Sequence, residues 1–284
     1  MNGLEGMYDF HVHPAPSIQT RRFTALEALK LCDEERMSGI VFLDHTYNTT
    51  MVANTINQMG YRAKAYGTII LNEAVGGVSP SVVETALAMG TKQIQMPTYS
   101  SKGHKDAYGD DQKLFPYKKR STPICILDER RRLISEVEEI LEIMEGSSSF
   151  LASGHLSTEE IDVLVNRVKE LKINFVANSV SMDMPGYPLE YQKKWAGDHV
   201  FMEHAYAAIT DAPHKPTSVA SVAEQIRLVG AERCILGTDS GSMKLPGNIV
   251  ALKEFITRLV GAGITDRELD HMARRNPRYL LEAS

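Results

Sequence analysis

Cysteine is scarce in this chain and badly placed for pairing. Only Cys32, Cys125 and Cys234 are present among 284 residues, with no CxxC spacing. An odd number so spaced excludes a zinc ribbon and argues against a disulfide framework; the three read as reduced, buried small hydrophobes. Long apolar runs are missing as well, since none approaches the roughly 20 residues that span a bilayer. The opening MNGLEGMYDF has no basic stretch leading into an apolar core, so no secretory leader is expected and a cytoplasmic location is. Neither sign of charge dominates: the net charge is −5 and the pI near 6.0, which gives no reason to expect nucleic acid or an anionic membrane as partner. No GxSxG elbow, GxxxxGK[ST] loop or HExxH helix occurs. The single tryptophan, Trp195, falls in a helical stretch and is expected to pack.

What the chain does have is an alternation sustained from end to end. Short apolar runs suited to strands occur at Met7–His13, Gly39–Asp44, Ala65–Leu71, Thr91–Met96, Phe150–Gly154, Asn174–Asn178, His199–Glu203 and Cys234–Gly237. Several are uniformly apolar, as strands covered on both faces are. The stretches between carry helix-start signals. Thr24–Glu27, Ser157–Glu160 and Thr265–Glu268 match capping boxes, and Ser79-Pro80 places a cap before a first-turn proline. Leu133–Met144 has apolar residues at helical spacing. Eight strand–helix repeats predict the α/β class, as a (β/α)8 TIM barrel forming a single domain over residues 1–284, with an open doubly wound sheet as the alternative. One segment, Tyr99–Thr122, interrupts the rhythm after the fourth strand. It is polar and long for a connection in a compact domain, so a lid-like insertion is expected there.

The first run ends in His11-Val-His13-Pro14. Residues i and i+2 of a strand share a face, so both imidazoles can meet one point. Alone, the pair fits two polar residues at a strand end equally well. Two other strand ends add to it: His155 after the fifth (FLASGH) and Asp239 after the eighth (CILGTD). In a barrel all four fall on the C-terminal rim. Three histidines and a carboxylate suit a catalytic divalent cation with a position left for water.

The pattern YDFHVHP, SGHLS, ILGTDSG and RRNPRYLLE resembles the amidohydrolase superfamily, and more narrowly an uncharacterised family of amidohydrolase-related barrels. The resemblance covers nearly the whole chain. It implies metal ligation by His11, His13 and His155, and it implies that Asp239 binds the metal and orients or deprotonates the attacking water. Two departures stand out. Many members place a lysine or glutamate at the end of strand four to bridge two metals, where this chain has Gln95-Met96-Pro97, so one ion per chain is expected. Members also usually place a histidine after strand six, where this chain has Asn178, which cannot take up a proton at neutral pH.

His45, after the second strand, and Glu203, in the seventh, are candidates for catalytic roles in that vacancy. For His45 a loop hydrogen bond is the plain alternative, and for Glu203 a buried ion pair. His204 should point away from the site if Glu203 points in. Arg21, Arg22 and Asn178 are candidate substrate-binding residues, the arginines because a guanidinium suits a carboxylate or phosphate. Asn72 and Glu73 mark a rim loop without a clear role. Lys102, His104, Lys118, Lys119 and Arg120 in the long segment are expected to be solvated, and His199, His214 and His271 structural. The expectation is a metal-dependent hydrolase cleaving an amide, lactone or related cyclic or ester bond of a small, anionic metabolite. Zinc is the first choice, with manganese, iron and nickel as alternatives. The rivals are a decarboxylase or phosphoesterase on the same frame, and a catalytically degenerate metabolite-binding barrel. A homo-oligomer would be compatible with all of these.

Overall fold

The computed structural model describes residues 3–109, 122–183, 185–211 and 215–282. Its strands are β1 Tyr8–Val12, β2 Gly39–Phe42, β3 Lys64–Ile70, β4 Gln93–Gln95, β5 Phe150–Ala152, β6 Phe175–Ala177, β7 Val200–Ala205 and β8 Cys234–Gly237. All neighbours pair in parallel and in chain order. The barrel closes between β8 and β1, where Asp239 N–H donates to His11 O at 2.8 Å and His13 N–H to Ser240 O at 2.7 Å. An open sheet is thereby excluded.

The interior of the barrel is a packed core. Phe10, Val41, Leu43, Ile70, Phe150, Val176, Phe201 and Ile235 fill it, as the layered side chains of such barrels do. The helices α1 Ala25–Glu34, α2 Thr50–Asn57, α3 Pro80–Ala88, α4 Lys102–Tyr108, α5 Ser135–Met144, α6 Thr158–Glu170, α7 Leu189–Trp195, α8 Val219–Val229, α9 Asn248–Gly261 and α10 Asp266–Asp270 follow the strands. A π-helical turn, His271–Arg275, leads into α11 Asn276–Glu282. Leu280 and Leu281 of α11 join the inner core and plug the N-terminal end, where Tyr8 Oη bonds the Glu282 carboxylate.

The start signals hold at residue level. Thr24, Ser157 and Thr265 each cap their helix in a reciprocal box with Glu27, Glu160 and Glu268. Pro80 opens α3 as expected, but the Ser79 hydroxyl makes no capping bond and lies 3.1 Å from Ser81 Oγ instead. Trp195 is buried on α7. Among the described residues no helix is long and apolar enough to cross a membrane. The Tyr99–Thr122 segment is not wholly irregular: α4 occupies part of it. Residues 110–121, with Lys118, Lys119 and Arg120, lie outside the described residues, as does His214.

Candidate metal centre at the barrel mouth

β1 does not alternate regularly. Tyr8 and Phe10 belong to the inner core whereas Val12 belongs to the outer one, and the β1–β2 register slips between Asp9 and Val12. This bulge re-aims the end of the strand. Phe10 and His11 both face the barrel axis, Val12 faces the helices, and His13 faces the axis again. Without the extra residue, strict alternation from Phe10 would send His11 and His13 outward.

The two imidazoles meet at the mouth. His11 Nε2 lies 3.1 Å from His13 Nε2, and Asp239 Oδ1 lies 3.3 Å from His13 Nε2 and 3.6 Å from His11 Nε2. The far nitrogens are committed elsewhere. His13 Nδ1 lies 3.0 Å from Leu43 O, which can only accept, so Nδ1 carries the proton. His11 Nδ1 lies 2.8 Å from Glu203 Oε1. Both Nε2 atoms thus face one point beside a carboxylate, and a cation taking the place of the proton between them would receive both lone pairs. A tetrahedral ion with bonds of 2.0–2.2 Å sets ligand atoms about 3.4 Å apart, so the triangle has the dimensions and donor chemistry of a divalent site. His11, His13 and Asp239 form the one such group found among the described residues.

The electrostatics agree. Burial alone would push the His11 imidazolium down, but Glu203 and then Asp239 outweigh it and raise it to about 9. Burial would raise Asp239; His11 and then His13 outweigh it and hold the carboxyl at about 2. A site that stabilises a proton on His11 this strongly is one that welcomes a cation. Asp239 sits in the left-handed region at φ 56°, a conformation Asp tolerates better than most residues. Its side chain is 22% exposed against 8% for His11 and 6% for His13, so it forms the accessible edge of the group. Gly237 makes room for it all, because a Cβ there would stand 2.8 Å from His11 Cβ and 2.9 Å from Glu203 Oε1.

Around this triangle the remaining expected residues take distinct places. Glu203 points inward and His204 outward, as the strand period requires. His204 contacts Ser181 Oγ at 2.6 Å in the outer layer. Glu203 lies on the side of His11 away from the triangle, and its other oxygen accepts from Asn178 Nδ2 at 2.8 Å and Ser179 N at 3.2 Å. Asn178 is turned inward onto the barrel: its Oδ1 accepts from Gly154 N at 3.0 Å, so both ends of the amide are engaged. His45 lies against His13, with ring centroids 4.7 Å apart at 24°, and its Nδ1 meets Thr98 Oγ1 at 3.0 Å. Burial, then His13 and Arg21, hold its imidazolium far below the usual range.

The arginines part company. Arg21 turns its side chain in, 6% exposed, with Nη2 3.8 Å from Asp44 Oδ2. Neither atom has a hydrogen-bond partner. Arg22 points out and donates to Met243 O at 2.6 Å. His155 stands outside the triangle, paired with His104 through an Nδ1–Nδ1 contact of 3.0 Å. It is close enough to help depress Asp239.

Two residues given little weight in the sequence prove structural hubs. Asn72 accepts from Thr98 N and Ser100 N and donates to Thr98 Oγ1 and His45 O, tying three rim loops together. His104, expected in solvent, is 6% exposed. Its place after a serine that caps α4 was the available signal, because Ser101-Lys-Gly-His104 puts it in a helix's first turn.

Comparison with solved structures bears out the closed eight-stranded (β/α)8 barrel as a fold. The barrel is similar to an amidohydrolase from Pseudomonas aeruginosa, with TM-score 0.68 and 10% identity over 98% of this chain and 96% of that one. It is similar to the beta-aspartyl dipeptidase of Fervidobacterium islandicum, with TM-score 0.64 and 13% identity over 98% and 72%. A resiniferatoxin-binding protein from Rhodobacter sphaeroides matches with TM-score 0.59 and 15% identity over 98% and 91%. No curated protein matches the sequence. The chain belongs to the family described as "Family of unknown function (DUF6282)", whose model matches residues 6–203. That match takes in His11, His13, His155 and Glu203 and ends before Asp239.

Proposed function

We propose that the chain is a hydrolase whose divalent cation is held by His11, His13 and Asp239, with His155 as a further ligand. Its substrate is a small anionic metabolite with an amide, lactone or related ester bond. The observation that carries this reading is the convergence of two imidazole Nε2 atoms, each with its Nδ1 committed elsewhere, and a carboxylate oxygen within 3.1–3.6 Å at the barrel mouth. A divalent cation supplies Lewis acidity at such a site and draws the pKa of water towards neutrality. Zinc suits nitrogen and carboxylate donors best, and manganese, iron and nickel are the alternatives.

The chain's own groups do the rest. Asp239 is ionised across the neutral range and is the most exposed of the three, so it accepts the proton of the attacking water and returns it to the leaving group. Glu203 keeps the His11 proton on Nδ1, acting on the chemistry through His11 rather than on substrate. His45 remains neutral at physiological pH, which suits it to donate a hydrogen bond to developing negative charge. The Thr98 hydroxyl already accepts from Asn72 Nδ2 at 2.8 Å. In this reading its own proton goes to His45 Nδ1, which leaves the imidazole proton on Nε2. Arg21, with a buried nitrogen lacking a partner, holds the anionic part of the substrate. Arg22 supports the loop, and Asn178 contributes through Glu203.

Elemental analysis of the purified protein tests the reading, with a His11→Ala/His13→Ala double variant beside it. About one divalent transition ion per chain, lost in the variant, is the expected result. Protein that takes up no metal even from zinc- or manganese-supplemented growth would overturn it in favour of a binding barrel. Product analysis on any turned-over substrate separates hydrolysis, which consumes water, from decarboxylation, which releases carbon dioxide.

A further inference from the structure

Each of the three histidines read as ligands has its Nδ1 against another group: Leu43 O for His13, Glu203 for His11 and His104 Nδ1 for His155. The first two partners are acceptors by their chemistry. We infer that His104 is the third, a positioning residue that accepts the His155 Nδ1 proton and so keeps the His155 lone pair on Nε2. The inference rests on the metal reading above.

The geometry of the pair supports a hydrogen bond rather than a stack. The rings are inclined by only 23° and their centroids are 5.1 Å apart. Since the two Nδ1 atoms approach to 3.0 Å, the contact runs close to the ring planes, edge to edge. Such a contact needs one proton and one lone pair. If His155 is to ligate through Nε2, the proton is on its Nδ1 and the lone pair is on His104, whose own proton sits on Nε2. Fixing a ligand's tautomer from behind is how outer groups tune metal-bound histidines.

The backbone is built to hold this pair. Ser101 caps α4 by accepting from His104 N, and its hydroxyl donates to His155 O at 2.8 Å. Gly103 passes so close that a Cβ would lie 2.8 Å from His155 O and 3.0 Å from Ser157 N. Tyr99 meets the His104 ring edge-on at 4.8 Å. The first turn of α4 is thus locked to the His155 peptide, and the His104 ring has little freedom to leave. At 6% exposure, it cannot be replaced by bulk water without rearrangement.

The test uses the full chain with His104→Leu, which keeps the bulk and removes the acceptor, and His104→Asn, which returns an acceptor near the Nδ1 position. Zinc affinity by chelator competition and the visible spectrum of the cobalt(II)-loaded protein are the readouts. His104→Leu should bind zinc about 10–100-fold more weakly and shift the cobalt bands, while His104→Asn stays near wild type in both. Wild-type affinity and spectrum in both variants would overturn the inference. Should His104→Leu fail to fold, nitrogen-15 NMR of histidine-labelled wild type decides, since a proton found on His155 Nε2 in the zinc-loaded protein also overturns it. Wild-type protein that binds neither metal sinks the metal reading. The His155 tautomer in metal-free protein then decides the positioning by itself.

Discussion

Replacing Glu203 by glutamine separates the metal reading from a purely structural one. The carboxylate, fully buried, receives three donors: His11 Nδ1–H on Oε1, and Asn178 Nδ2 and Ser179 N on Oε2. A glutamine has one oxygen and one NH2 to offer the same three groups. Asn178 cannot flip to help, because its oxygen is held by Gly154 N, and Ser179 N is backbone. The glutamine oxygen must therefore face Asn178 and Ser179, and its NH2 must face His11. That NH2 repels a proton on His11 Nδ1 and drives it to Nε2, which removes one of the two nitrogen lone pairs from the triangle. Loss of one charge-assisted bond costs about 1.5–3 kcal/mol of stability, and metal affinity should drop about 10–100-fold. Chelator competition on wild type and Glu203→Gln, together with metal-free unfolding curves, measures both quantities. A variant that loses stability but binds zinc as tightly as wild type would refute the tautomer argument.

Three further outcomes are expected. Asp239→Asn keeps the backbone, because asparagine also tolerates the left-handed region, and turnover of any identified substrate should fall by about 10²-fold or more; unchanged turnover would remove Asp239 from proton transfer. Arg21→Lys should raise KM for an anionic substrate about tenfold with a smaller change in kcat, since an ammonium does not reproduce the planar fork, and an unaltered KM would assign the anion elsewhere. His204, which burial lowers to about 3, is neutral in the fold and protonates below 6.5 once unfolded, so its contribution is intact above pH 6.5 and is lost as pH falls towards 3. Denaturation curves of His204→Leu should therefore show a shallower acid limb, by at most about 1.4 kcal/mol per pH unit, and parallel limbs would contradict the assignment.

The barrel was legible because its signals are local. Uniformly apolar strands read as covered on both faces, and three capping boxes proved correct to the residue because a cap is an exchange between neighbours in the chain. The opposite facing of Glu203 and His204 followed from the strand period alone. His11, His13 and Asp239 were legible as chemistry at strand ends. Tertiary structure decided how they aim. The bulge in β1 turns both histidines inward, and nothing in YDFHVHP announces it, because a bulge arises from the pairing of two strands rather than from one. Glu203 behind His11, Asn178 engaged at both ends, Arg21 buried while its neighbour Arg22 points out, and His104 beneath His155 are likewise partnerships between distant segments. Sequence names such donors and acceptors one by one; which proton goes to which lone pair is set only when the closed barrel brings the ends of β1, β7 and β8 together at its mouth.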